Sequence, residues 1–362
     1  MLKNILWILA SWPILTYGQT DSLVRNERQF SIKTLIGVSA PNQVVPATGN
    51  LPLGVEINYS WTGLQRRAWE QCNCFARVGT YANYIGFGNP VALGRTAGAG
   101  LFFEPLIRYG HRTYFSVRAS VGLTYVTRIY DPITNPTNRH VSLPVSSMIG
   151  LSVNGYYQLN SRFHLTVSGN YNHISNGGTR QPNQGLNLPS ASLGLTYLTR
   201  TSPQPDTQLW TRTPLTRRWL ARVLLLGSVR VLPQTATTPE MALPLFGLKL
   251  LAGYRLSSAH ALSGGVEFVD DQYFREQVKQ WRYVNQQYRQ ATLLAGYEFW
   301  HGRYLFTAHM GWNVVRPQPY KPATYQKYGL LYRLNNGLTF GFDVKAFGDD
   351  TKGFQLAGGM SF

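Results

Sequence analysis

The chain has 362 residues, with 34 Lys and Arg against 16 Asp and Glu, a formal charge of +18. Charged residues make up 14 % and hydrophobic ones 44 %, with 22 Tyr, 17 Phe and 35 Gly, whereas a soluble domain is roughly 25 % charged. That balance excludes a disordered chain, which is poor in aromatics, and a helical membrane protein, because no run after residue 20 holds about 18 consecutive apolar residues; an all-β membrane barrel is what remains.

In chain order, the first element is a secretory signal peptide over residues 1–18. Lys3 is followed by an apolar run from Ile5 to Leu15, and Thr16-Tyr17-Gly18 places small residues before a cut ahead of Gln19. The mature chain, 19–362, is expected to be exported. Its only cysteines, Cys72 and Cys74, lack the further ligands of a zinc site and form either a local disulfide or two thiols.

From residue 28 onward, period-two alternation dominates. Phe115, Val117, Ala119, Val121, Leu123 and Tyr125 alternate with Ser116, Arg118, Ser120, Gly122 and Thr124. Tyr304, Phe306, Ala308, Met310, Trp312 and Val314 alternate with Leu305, Thr307, His309, Gly311 and Asn313. The polar face is mostly Gly, Ser, Thr and Asn, as in a barrel lumen, where a soluble sandwich would show Lys and Glu to water. About sixteen such segments begin near residues 29, 53, 75, 97, 113, 143, 162, 190, 219, 242, 259, 290, 302, 327, 337 and 352. With the N-terminus inside, the tight connections at Gly110-His111-Arg112, Leu159-Asn160-Ser161, Ser257-Ser258, His301-Gly302 and Asn335-Asn336-Gly337 all fall on the periplasmic side, as in outer-membrane barrels. Long connections around 131–140, 176–189 and 271–289 fall outside. Two inner connections, 64–74 and 201–218, are longer than this rule allows. The expected fold is a transmembrane antiparallel outer-membrane β-barrel of about 14–16 strands. The alternative is an eight-stranded barrel followed by a second β unit, the halves being 19–200 and 201–362.

Six histidines (His111, His140, His164, His260, His301 and His309) are dispersed with no i, i+4 pair, so no metal site is expected. Arg212, Arg217, Arg218 and Arg222 form the densest basic patch, read as a solvated linker near anionic headgroups. An exported barrel meets anionic lipid before nucleic acid, so no nucleic-acid partner is expected.

One constellation carries chemistry. In the strand before it, Phe163, Leu165, Val167, Gly169 and Tyr171 share the lipid face, and steps of two bring His173 and Ser175 onto that face. In the next strand, Ala191, Leu193, Leu195 and Tyr197 face lipid, and stepping back brings Pro189 and Asn187 there. Polar groups on that side are costly, though less so near the interface. These residue types suit a hydrolase: Ser175 as nucleophile, His173 as base and then acid, Asn187 to orient the imidazole. Asn176, Gly177, Gly178 and Asn183 are candidates for an oxyanion hole, since Gly admits the positive φ that turns N–H groups inward.

The segment His173-x-Ser175-Asn176-Gly177, with Pro182-Asn183-x-Gly185 behind it, resembles the lipid A 3-O-deacylase (PagL-like, acyloxyacyl hydrolase) family. Leu53-Gly54-Val55-Glu56-Ile57-Asn58-Tyr59 and Gly86-Phe87-Gly88-Asn89-Pro90 look like its longer Bacteroidota-type members. The resemblance implies an outer-membrane serine esterase that removes the ester-linked 3-hydroxyacyl chain of lipid A. It also implies lipopolysaccharide and outer-membrane lipids as partners, and no cofactor. Family enzymes have eight strands, so residues 201–362 are additional. They also carry a Glu fourteen residues after the His, where this chain has Asn187. Outer-membrane phospholipase A has a similar motif and uses an Asn at that spacing, with calcium, which makes phospholipase the alternative. A catalytically degenerate porin-like barrel is the third reading.

Overall fold

Every alternating segment becomes a strand, and the computed structural model describes residues 26–38, 50–203, 205, 207–212, 214–215, 217–233, 239–284, 286–347 and 350–362. The signal peptide expected over residues 1–18 lies outside the described residues. The first eight strands are β1 (Asn26–Gly37), β2 (Leu53–Gly63), β3 (Phe75–Gly86), β4 (Arg95–Ile107), β5 (Thr113–Val126), β6 (Val145–Gln158), β7 (Phe163–Ser175) and β8 (Leu186–Arg200). The second eight are β9 (Trp219–Leu232), β10 (Met241–Arg255), β11 (His260–Asp271), β12 (Arg289–His301), β13 (Tyr304–Val315), β14 (Thr324–Arg333), β15 (Leu338–Phe347) and β16 (Asp350–Ser361). Helix α1 (Arg66–Glu70) sits between β2 and β3, and α2 (Gln272–Gln280) between β11 and β12.

The expectation of a single closure gives way to its alternative. The strands form two closed antiparallel barrels, β1–β8 and β9–β16. In the first, β8 returns to β1 with Phe30 opposite Tyr197 and Ile36 opposite Ala191. In the second, β16 returns to β9 with Leu356 opposite Gly227 and Ser361 opposite Arg222. Both long inner connections now have a physical reason. Residues 201–218 link the barrels, and Trp210 packs edge-on against Trp69 and Phe75 at the inner end of the first. The 64–74 connection holds α1 and a Cys72–Cys74 disulfide, and it docks on the second barrel through Gly302 N donating to Gln71 O at 3.0 Å and Asn73 donating to Ser258.

Outward positions carry exposed apolar side chains such as Ile32, Val117, Val167, Leu193, Leu225 and Phe340, the belt that lipid covers. The lumens are filled rather than open, since an eight-stranded barrel is just wide enough for its own side chains. In the first, the Arg77 guanidinium donates to Glu104 at 3.3 Å and to the Tyr156 hydroxyl at 3.0 Å, and Arg118 pairs with Glu56 at 2.9 Å. In the second, Lys327 pairs with Glu267, Lys249 with Asp343, and Arg222 with both oxygens of Glu298 at 3.0 and 3.1 Å. Arg222 is therefore a lumen residue and not part of the linker's basic patch. Such charges are costly to bury singly and persist because each is paired.

At the outer end of the first barrel the filling turns apolar. Ile85, Phe87, Leu93, Val126, Val141, Met148, Ile174, Leu186 and Leu188 form one buried cluster. This plug fixes the ends of β7 and β8: with Ile174, Leu186 and Leu188 inside, alternation leaves His173, Ser175 and Asn187 outside.

Candidate functional site

The fourteen-residue spacing of His173 and Asn187 is a hairpin register. Antiparallel pairing sets His173 opposite Asn187 and Ile174 opposite Leu186. Directly opposed residues on one face have Cβ atoms about 4.5–5.5 Å apart, close enough for side chains to bond. His173 Nδ1 lies 2.6 Å from Asn187 Oδ1, so the amide oxygen fixes the proton on Nδ1 and leaves Nε2 as the basic nitrogen. Ser175 stands two residues further along the same face, about 7 Å away in Cβ position.

The serine hydroxyl is held by other partners. Ser175 Oγ accepts from Gly177 N at 3.1 Å and from Asn183 Nδ2 at 2.9 Å. Of the expected oxyanion donors, these two converge on Ser175 Oγ. The other two N–H groups have internal acceptors: Asn176 N donates to Asn183 Oδ1 at 3.3 Å, and Gly178 N to Asn176 Oδ1 at 2.9 Å. Gly177 and Gly178 have φ of 69° and 84°, a region in which any side chain is strained. The parity reading places His173, Ser175 and Asn187 outward as expected, but the site is covered rather than open to lipid: Ser175 is 3 % exposed and Asn187 7 %.

Gly185 has a role that its place in the Asn-x-Gly motif did not disclose. Its φ is +75°, and a Cβ there would lie 2.9 Å from His173 Nε2 and nearer still to Cε1. The glycine lets the loop backbone lie against the imidazole. His140, one of the dispersed histidines, is the other unforeseen part. Its Nδ1 lies 2.9 Å from Gly185 O, while Gly185 N donates to His140 O at 3.0 Å and Gln184 N to Arg139 O at 3.1 Å. The 127–144 loop is thereby zipped to the 176–185 loop. Burial pushes the His140 imidazole below the ordinary histidine range, and the Gly185 carbonyl only partly opposes this. Asn138, fully buried, donates to Ala92 O and Arg128 O and accepts from His140 N, tying in the 87–94 loop as well. Asn176 Nδ2 completes the scaffold with bonds to Ser142 Oγ and Arg180 O, both 2.9 Å. A turn-rich loop stitched by asparagine amides has no periodic signal, so only the fold reveals it. Among the described residues no three His, Cys, Asp or Glu side chains gather as metal ligands.

Two family models match the chain, one on each barrel: lipid A 3-O-deacylase (PagL) over residues 53–196 and the acyloxyacyl hydrolase C-terminal domain over residues 220–352. No curated relative matches. Among solved structures the chain is similar to Neisserial surface protein A, at 11 % identity over 48 % of this chain and 96 % of that one, with a TM-score of 0.30. It is also similar to the translocator domain of the autotransporter NalP from Neisseria meningitidis, at 9 % identity over 96 % and 90 %, with a TM-score of 0.23. With the deacylase model on its first barrel and the acyloxyacyl hydrolase C-terminal model on its second, the chain belongs to the outer-membrane lipid A 3-O-deacylase (PagL-like) family.

Proposed function

We propose that the protein is a serine esterase that removes the ester-linked 3-hydroxyacyl chain from lipid A. The observation that carries this reading is the bond between His173 Nδ1 and Asn187 Oδ1 at the outer rim, with Ser175 on the same outward face. In this mechanism Ser175 Oγ attacks the ester carbonyl while His173 Nε2 takes its proton. Gly177 N and Asn183 Nδ2, already aimed at Oγ, turn to the neighbouring oxygen as charge develops on it. Collapse expels the glucosamine hydroxyl, which receives the proton from His173. Water then hydrolyses the acyl-serine, with His173 again as base, and releases a 3-hydroxy fatty acid. The exposed Arg139 and Arg180 flank the loop and suit the phosphates of lipid A. The N-terminal 18 residues serve as a signal peptide, residues 19–200 form the catalytic unit, and residues 201–362 are an added one.

Mass spectrometry of lipid A from cells making the protein tests this. Loss of one 3-hydroxyacyl chain, abolished by Ser175→Ala, is the expected result; an unchanged spectrum from folded wild type rejects the reading. Phospholipase A is the second reading, favoured by the amide at Asn187 where the deacylase pattern has a carboxylate. Asn187→Glu separates the two. A deacylase keeps or raises its activity, because a carboxylate also stabilises the imidazolium, whereas an Asn-dependent phospholipase loses fatty-acid release from diacyl phospholipid.

A further inference from the structure

The outer end of the second barrel touches the catalytic loop of the first. Strands of an eight-stranded barrel tilt by about 35–45°, so over thirteen residues each one travels well round the wall. The inner end of β4 and the outer end of β7 thus come to lie on the same side. At the inner level Phe103 stacks on Phe306 with ring centroids 5.0 Å apart. At the outer level Val231 N donates to Gly178 O at 3.3 Å, and Phe354 Cβ lies 3.9 Å from where a Cβ on Gly177 would stand.

These outer contacts arise from incomplete closure. Among the described residues, β16 pairs with β9 only between Arg222 and Gly227, while β10 accompanies β9 out to Leu232. Past Gly227 one edge of β9 has lost its ladder, and the gap is bridged by the Ser228 hydroxyl donating to Phe354 O. An unpaired strand edge offers N–H and C=O groups to any segment that can meet them. The segment that meets this one is the Gly177–Gly178 turn. Val231 and Leu232 are buried there at 7 % and 4 % exposure, and Phe354 is braced by stacking on Phe342 at 4.6 Å.

We propose that the second barrel is a positioning element of the active site: the open β9–β16 edge, through Val231 N–H and the Phe354 Cβ, holds the Gly177–Gly178 turn so that Gly177 N stays aimed at Ser175. This rests on the serine-esterase reading. The carbonyl of Gly178 is the handle, and the N–H one residue back is the working group. A turn with two glycines at positive φ has little rigidity of its own, so its geometry depends on what grips it.

The test uses the full chain with Val231→Pro, which removes the donor. That N–H points away from β10, and proline is tolerated on such an edge. Folding is checked by heat-modifiable migration, active sites are titrated with a fluorophosphonate, and deacylation of purified lipid A is measured. The expected result is a fall in kcat of tenfold or more with KM within twofold, restored by Val231→Ala, which keeps the N–H. Unchanged kcat in folded Val231→Pro overturns the inference. If Val231→Pro does not fold, Phe354→Gly, which removes the Cβ beside Gly177, decides: a similar loss in kcat supports the role and wild-type kcat overturns it. A wild type that neither labels nor deacylates rejects the esterase reading, and the positioning role with it.

Discussion

The two barrels share strand number, direction and a charged lumen, yet their described outer rims carry different side chains. At the outer end of β7 the outward positions are Tyr171, His173 and Ser175; at the corresponding end of β15 they are Phe342, Val344 and Ala346. The lumens are built alike, with Arg77–Glu104 in one and Arg222–Glu298 in the other. The scaffold therefore tolerates either chemistry at this position. On the proposed function, activity depends on a few outward residues and on the loops that lock them, as expected of sites grafted on a common fold.

Placing reactive groups on both rims breaks the comparison most sharply. Ser175→Ala is expected to lower deacylation on the order of 10⁴-fold or more, while Ala346→Ser leaves it unchanged; both are read by mass spectrometry of lipid A. The likeness of the lumens predicts the next effect. Glu104→Gln and Glu298→Gln each leave a buried guanidinium without its counter-charge and cost about 3–5 kcal/mol, measured as the shift in urea unfolding followed by heat-modifiable migration. Glu104→Gln acts on the lumen of the first barrel and Glu298→Gln on that of the second.

A smaller effect lies in the 176–185 loop. Gly185→Ala pushes a methyl group into the His173 ring and strains a positive φ, so kcat falls about 10²-fold with the barrels still folded. The smallest effect concerns His140, whose lowered pKa makes docking of the 127–144 loop sensitive to acid. The docked loop holds the imidazole neutral, while the released loop takes a proton near the ordinary pKa of about 6.5. Docking is therefore fully present above that value and weakens as pH falls below it. Limited proteolysis within 127–144 should quicken between pH 7 and pH 5 in the wild type and change less in His140→Gln.

Much of this was legible in the sequence because strand periodicity is local. The sixteen expected starts lie within four residues of those observed, and the parity that set His173, Ser175 and Asn187 outward is read two residues at a time. Closure is not local. Whether β8 pairs with β1 or opens towards β9 depends on residues some 160 positions apart, such as Ile32 and Leu195, and no short segment records that choice. The Pro203 and Pro205 stretch marked the boundary without stating its meaning. The hydrogen bonds of Asn183, Asn138 and His140 were equally hidden, since a loop's partners follow from the fold and not from spacing. Arg222 illustrates the converse: adjacent in sequence to linker arginines, it belongs by alternation to the lumen of β9.

The 201–218 connection has one more consequence. Eight crossings return a chain to the side from which it set out, so two such units can be joined in tandem by a tether that never leaves the periplasm. A unit with an odd number of crossings would deliver its end to the cell surface, and its successor would be inserted upside down, with its rim loops facing inward. Evenness is thus what allows a second barrel to arrive beside the first with both outer rims on the same leaflet.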